Sequence, residues 1–243
     1  MVKTVRRLAG LIIAVLVTAS LSGCLYPDQK KRENQASVRE SILLVQNAVD
    51  TYKQRTGVLP IKNSEPRTPI YEKYVLDMRK LKDGQYLSQP PGIAYENGGT
   101  AMFVLVDPET KPLVRIMDVV LHQQAGDIQN KVNEYLAKHQ NVLPKGAEIA
   151  PRFYQLDFDK LGMKQQQAES RYSRQYLSYV INETGTIAID YGPDLMKLIT
   201  EKGLASSLNA TMDLRTLLAQ EYPYVPVKSY PYRWVGGQPT LSE

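Results

Sequence analysis

Cysteine occurs once in this chain, at Cys24, and histidine only twice, at His122 and His139. A single cysteine excludes an intrachain disulfide and a thiolate-bound metal cluster. The two histidines stand 17 residues apart on segments patterned as helix, not at the i, i+4 spacing that presents two metal ligands on one face. His139 falls near a predicted helix end, where a partly charged imidazole suits the helix dipole with no catalytic duty. The chain also lacks Gly-x-Ser-x-Gly, Ser-x-x-Lys and His-Glu-x-x-His patterns and any glycine loop suited to phosphate. No basic stripe with interleaved aromatics appears, which argues against nucleic acid as a partner. The expectation is a protein without enzymatic activity, cofactor or metal.

Long apolar runs are equally scarce. The one candidate, Leu8–Leu21, has about 14 residues against the ~20 that span a bilayer. It follows Lys3, Arg6 and Arg7 and leads to Leu21-Ser22-Gly23-Cys24. A charged start, a short apolar stretch and small residues before a cut make a secretory signal. A cysteine directly after Leu-Ser-Gly is similar to a bacterial lipobox, which implies cleavage before Cys24 and a diacylglycerol on its thiol. The expected location is the extracytoplasmic face of the cell membrane, held by the lipid at Cys24; an uncleaved anchor is the rival reading. Cutting the 243-residue chain before Cys24 leaves 220 residues, and losing Lys3, Arg6 and Arg7 takes 30 basic side chains to 27 against 25 acidic. Lys30-Lys31-Arg32 beside the anchor would either favour anionic headgroups or form a solvated linker.

What the sequence has in abundance is repetition. Val45-Gln46-Asn47-Ala48-Val49-Asp50-Thr51-Tyr52 returns 83 positions later as Ile128-Gln129-Asn130-Lys131-Val132-Asn133-Glu134-Tyr135. Thr56-Gly57-Val58-Leu59-Pro60 is matched by Gln140-Asn141-Val142-Leu143-Pro144, and Tyr74–Leu81 by Tyr154–Leu161, in the same order. Three ordered matches imply tandem copies of one unit. In the first copy Val38, Ile42, Val45, Val49 and Tyr52 form one helical stripe, and Ser37 with Glu40 reads as a capping box. Gly57 stands where the helix stops and Asn141 replaces it in the second copy, both residues that accept a left-handed helix end. Each copy continues to a predicted hairpin: Ala101–Val106 and Leu113–Met117 in the first, Tyr176–Ile181 and Thr186–Asp190 in the second. Asp118 and Asp190 close these hairpins. A last helix is expected over Asp213–Gln220, and Val225-Pro226-Val227-Lys228 echoes Leu59-Pro60-Ile61-Lys62 as a truncated third copy.

The fold class that follows is α+β, a tandem repeat of a long helix packed on a small antiparallel sheet. Its expected divisions are a signal peptide over 1–23, an anchor linker over 24–36, a first module over 37–118, a second over 119–192, and C-terminal helices with a Tyr/Pro-rich tail over 193–243. Whether the modules share a sheet or form two lobes stays open. Asp77 and Asp157, like Asp118 and Asp190, recur at equivalent positions. Paired carboxylates can serve acid–base chemistry, but a repeated turn or helix start that each Asp caps explains the recurrence as well. In the tail, Tyr222, Tyr224, Tyr230, Tyr232 and Trp234 alternate with Pro223, Pro226 and Pro231. The chain has 16 tyrosines and 3 phenylalanines. These rings are either a contact surface for a sugar or protein, or a strap packed on the body of the domain.

From the Leu-Ser-Gly-Cys segment to the Tyr-rich tail, the chain resembles the Bacillus lipoprotein family YphF, whose members are sometimes labelled ABC-transporter binding proteins. That resemblance implies export and anchoring and carries no catalytic residue over. Tyr52–Pro60 also resembles, locally, the helix and Thr-Gly-x-Leu-Pro-like turn of pseudopilin globular domains. A pseudopilin keeps its apolar N-terminal segment, whereas a lipobox removes it, so this likeness implies a similar small fold and no more. The functional expectation is a membrane-anchored, non-enzymatic binding or scaffold lipoprotein of the bacterial envelope. A solute-binding lipoprotein of an ABC transporter is the alternative, and a wall hydrolase using the aspartates a distant third.

Overall fold

A computed structural model describes residues 26–242, with side chains from Ser37 onward. Two compact units divide the chain, Met1–Ser41 and Ile42–Glu243. Helix α1 spans Tyr26–Thr56. Because it is already helical at Ser37, Ser37 and Glu40 are interior residues and not the expected capping box, and residues 26–36 are helix where a linker was expected. Gln29–Glu33 are good helix formers and Pro27 lies in the first turn, where its missing N–H is harmless, so nothing delays the helix to Ser37. Gly57 ends it at φ +75°, its N–H donating to the Lys53 carbonyl (2.9 Å).

After that helix come α2 (Ile70–Lys73), α3 (Met78–Asp83) and an antiparallel hairpin of β1 (Ala101–Val106) and β2 (Leu113–Asp118). Helix α4 (Val119–Lys138) starts directly after β2 and is capped by Asp118, whose Oδ1 accepts from Leu121 N–H (3.0 Å). Strands β3 (Lys145–Ala150), β4 (Phe153–Leu156), β7 (Tyr179–Asn182) and β8 (Ile187–Ile189) form a four-stranded antiparallel sheet in that order. A two-stranded ribbon, β5 (Ala168–Glu169) with β6 (Tyr176–Leu177), lies between β4 and β7 in sequence. The second expected hairpin is therefore interrupted at Ser178. Helices α5 (Gly192–Lys202) and α6 (Arg215–Glu221) follow, and the chain closes on a hairpin of β9 (Tyr232–Val235) and β10 (Gln238–Leu241). The class is α+β.

The matched sequence segments make matched bonds. Gln46 donates its amide to the Pro112 carbonyl (3.0 Å) and to Asp50 (3.0 Å), and accepts from Val114 N–H (2.7 Å). Gln129 donates to the Gly185 carbonyl (2.9 Å) and to Asn133 (3.0 Å), and accepts from Ile187 N–H (2.8 Å). Asp77 N–H reaches the Pro60 carbonyl (2.8 Å) and Asp157 N–H the Pro144 carbonyl (2.9 Å). Lys80 and Lys160 each donate to the carbonyl just past that proline, on Ile61 (3.0 Å) and Lys145 (2.7 Å). Asn141 takes φ +61°, as Gly57 takes +75°. Tight three-residue turns at Pro60 and Pro226 close through Ile61 N–H on Leu59 and Val227 N–H on Val225, both 2.9 Å.

The first hairpin is apolar on both faces. Phe103, Leu105, Val114 and Ile116 share one face and are buried with Val45 and Val49 of α1 and with Leu76 and Leu81. Val104, Val106 and Met117 lie on the other and join one cluster with Ile128 and Val132 of α4, Phe153, Tyr179, Ile181 and Ile189 of the sheet, and Leu195, Leu198 and Leu218 of the last helices. The unit Ile42–Glu243 thus has buried apolar side chains on both faces of this hairpin, and one of those faces shares its cluster with α4, the four-stranded sheet and the last helices. Burying each such side chain contributes about 1.5–3 kcal/mol.

Candidate functional site

Cys24, the expected lipidation site, lies outside the described residues. The tail is a strap from Tyr222 to Pro231 that is bonded to β2 and β8. Its Pro223 carbonyl accepts from Ile116 N–H of β2 and its Val225 N–H donates back to Ile116, both at 2.9 Å. Five residues on, the Lys228 carbonyl accepts from Ile189 N–H of β8 (2.8 Å). One segment is thereby stitched to β2 and to β8.

The five aromatic candidates do not make one exposed surface. Tyr232 is 1% exposed, its hydroxyl donating to Asp190 Oδ1 (2.6 Å), so it has no face to offer a partner. Tyr222 packs edge-to-face on Tyr172 (5.1 Å) and Tyr230 on Phe153 (4.9 Å). Tyr224 bridges Ile116, and Trp234 is half-buried against the main cluster. The contact-surface reading is corrected for Tyr232; the others are half-buried, and Tyr222, Tyr230 and Trp234 pack against the main cluster. Burial pushes the phenols of Tyr172, Tyr191 and Tyr232 well above their ordinary range.

Under the strap lies a charged junction that no sequence pattern signalled. Glu72, on the single turn α2, is nearly buried; its Oε1 accepts from Lys228 N–H (3.0 Å), and its Oε2 lies 3.0 Å from the Lys228 ammonium and 3.1 Å from His122 Nε2. Burial opposes its charge, yet the bonds from His122 and Lys228 and the Lys228 ammonium outweigh burial and hold the carboxyl below its ordinary value. A carboxylate so engaged is a clasp, not a free base. Nearby, Asp118 pairs with Arg171 (2.6 Å) while capping α4.

The recurring aspartates have structural partners. Asp77 caps α3 through Arg79 and Lys80 N–H (3.1 and 3.4 Å), and Asp157 accepts from Lys160 N–H (3.2 Å). Asp190 accepts from Gly192 N–H (2.9 Å) and the Tyr232 hydroxyl. Among the described residues no three His, Cys, Asp or Glu side chains are grouped to hold a metal ion. The described helices include none long and apolar enough to cross a membrane.

Open clefts are the remaining candidates for binding. One, of about 450 Å³, is lined by Gly126, Gln129, Asn130 and Asn133 of α4 with Thr186 and Lys228. Gly126 sits within α4, where glycine costs about 1 kcal/mol relative to alanine, and a Cβ there would meet open space. A second, of about 440 Å³, lies between Ala150, Met196, Tyr232 and the β9–β10 hairpin, with Asp190 its one charged lining residue.

Residues 38–118 match the family described as YphF family N-terminal domain. Over this third of the chain the sequence is similar to a YphF N-terminal domain. The YphF match ends at Asp118, the last residue of β2, so it takes in the first module and stops where α4 begins. No curated protein and no solved structure matches the chain.

Proposed function

We propose that the chain is a membrane-anchored extracytoplasmic lipoprotein that acts as a non-enzymatic binding or scaffold protein of the bacterial envelope. The observation that carries this reading is Leu21-Ser22-Gly23-Cys24 after a short apolar run and three basic residues. The YphF domain and the structural engagement of the recurring aspartates agree with it. The strap and the outer faces of the modules would meet an envelope protein or a small ligand. Cells fed labelled palmitate test the anchor: label should enter the parent and be lost in Cys24→Ser, which should also leave the membrane fraction. Label retained in Cys24→Ser would sink the proposal.

The two modules are, in this reading, tandem copies of one unit, supported by the matched Gln46 and Gln129 bonds and the matched Lys80 and Lys160 bonds. A second functional reading, a solute-binding lipoprotein of an ABC transporter, draws support from the amide-lined cleft beside Gly126. The cluster that β1 and β2 share with α4, the four-stranded sheet and the last helices weighs against it, because opening between these elements would expose buried apolar side chains.

A further inference from the structure

One difference between the modules lies at the turn that follows the matched Leu-Asp segments, Tyr74–Leu81 and Tyr154–Leu161. Helix α3 of the first module ends with Gln85 at φ +61°, and the next residue, Tyr86, donates its N–H to the Leu81 carbonyl (2.9 Å). In the second module the turn after β4 ends with Gly162 at φ +65°, and the next residue, Met163, donates to the Phe158 carbonyl (3.0 Å). Tyr86 and Met163 hold the same station of one helix-ending motif, the residue that follows the left-handed position and turns its side chain back to the body.

In the first module the Tyr86 ring fills that station. It stands edge-to-face on Tyr52 (5.1 Å), with the Arg55 guanidinium 5.7 Å from its centre. The second module keeps the surroundings: Tyr135 and Lys138 occupy the positions 83 residues beyond Tyr52 and Arg55. It lacks the ring. There Met163, Tyr135, Lys138, His139 and Lys160 line an open cleft of about 400 Å³. Tyr135 and His139 are stacked at 3.9 Å. Of the cations, Lys131 is paired with Glu134 (2.9 Å), which also lines the cleft and feels the Lys138 charge, and Lys160 is paired with Asp157 (3.3 Å); Lys138 forms no ion pair within 4 Å among the described residues.

We propose that this cleft binds a small planar ring carrying an anionic group, the ring taking the place that Tyr86 fills in the first module and the anion facing Lys138 and Lys160. The chemistry is that of an aryl carboxylate or aryl phosphate. An aromatic wall supplies contact to the ring, and the Lys138 and Lys160 ammonium groups supply the charge. The inference goes beyond the envelope reading, since it holds whether or not Cys24 is lipidated.

The test uses the full-length chain in mild detergent, with phenyl phosphate as probe and phenol and inorganic phosphate as its separated halves, followed by calorimetric titration and melting temperature. Phenyl phosphate should bind roughly tenfold tighter than either half. Met163→Tyr, which restores the first module's ring, should weaken binding by roughly tenfold or more without lowering the melting temperature. Lys138→Glu, an exposed change that leaves the fold alone, should do the same and decides the matter if Met163→Tyr is unstable. The proposal is overturned if the parent fails to bind phenyl phosphate at millimolar concentration, if phosphate alone binds as tightly, or if a well-folded Lys138→Glu binds like the parent.

Discussion

Replacing Gln129 by leucine should cost far more than a half-buried surface glutamine ordinarily does. Its amide satisfies two backbone groups of the β7–β8 turn, the Gly185 carbonyl and the Ile187 N–H, at 2.9 and 2.8 Å. Both residues are buried, so leucine would leave a donor and an acceptor without partners. A net hydrogen bond is worth about 1 kcal/mol and an orphaned buried group about 1–3 kcal/mol, so the expected loss is about 2–4 kcal/mol. Gln46→Leu strips the Pro112 carbonyl and the Val114 N–H in the same way and should cost a similar amount. The two glutamines share no partner, so the losses should sum to within ~0.5 kcal/mol in the double variant. Glutamate separates the sites. At position 46 it would face Asp50 four residues on, and at position 129 it would face the neutral Asn133, so Gln46→Glu should be the more damaging. Urea unfolding followed by far-ultraviolet dichroism and by the single tryptophan, Trp234, measures all of this. A loss below ~0.5 kcal/mol for either leucine variant would refute the clasp as a stabilising element.

Glu72 and Asp194 should give opposite slopes in acid. Glu72 is held below its ordinary value of 4.5, so its contribution is present above that pH and is lost as pH falls through the still lower folded value; Glu72→Gln should flatten this loss in a pH series of urea midpoints. Asp194 is pushed above 3.8 because burial outweighs the bonds from Ser173 and Ser170, and its Oδ1 has no partner. Its favourable contribution is complete below 3.8 and lost as pH rises through the folded value, so Asp194→Asn should be the more stable protein at neutral pH, with the gap closing in acid. A parent that outlasts Asp194→Asn at neutral pH would contradict this. Tyr191→Phe should cost about 1–3 kcal/mol by orphaning the Val227 carbonyl (3.1 Å), whereas Tyr176→Phe, on a ring 68% exposed, should leave the midpoint in place.

Features fixed by local chemistry were readable. Gly57 and Asn141 both take the left-handed conformation, and Asp77, Asp118 and Asp157 each accept from backbone N–H groups at a turn or helix start. Features that depend on distant partners were not. Strand β3, Lys-Gly-Ala-Glu-Ile-Ala, has neither alternation nor β-branched density, and becomes a strand by pairing with β4 through a shifted register. The C-terminal hairpin carried a legible signal in Val235-Gly236-Gly237-Gln238, since two glycines at positive φ suit a two-residue turn. Proline density hid it, yet Pro239 lies in β10, a strand paired on one side only, where a missing N–H is tolerated. The Glu72 clasp joins residues 50 and 156 positions apart, and nothing local marks a glutamate on a single helical turn.

Two of the 16 tyrosines are explained by how the strap is satisfied. A proline-rich segment gives up N–H groups and cannot enter a regular ladder, so its carbonyls must find donors elsewhere. From Pro223 to Ser229 each carbonyl has one. Ile116 and Ile189 N–H serve Pro223 and Lys228, and Val227 N–H serves Val225. The hydroxyls of Tyr172 and Tyr191 serve Tyr224 and Val227, Ser229 serves Pro226, and Arg215 serves Ser229. Phenylalanine would fill the same space and leave those carbonyls bare. The hydroxyls of Tyr172 and Tyr191, which lie outside the tail, are thus spent on the tail's own backbone. A partner of this protein is better sought at the clefts along α4, where Gly126 leaves open space and Lys138 forms no ion pair within 4 Å among the described residues, than along the tail.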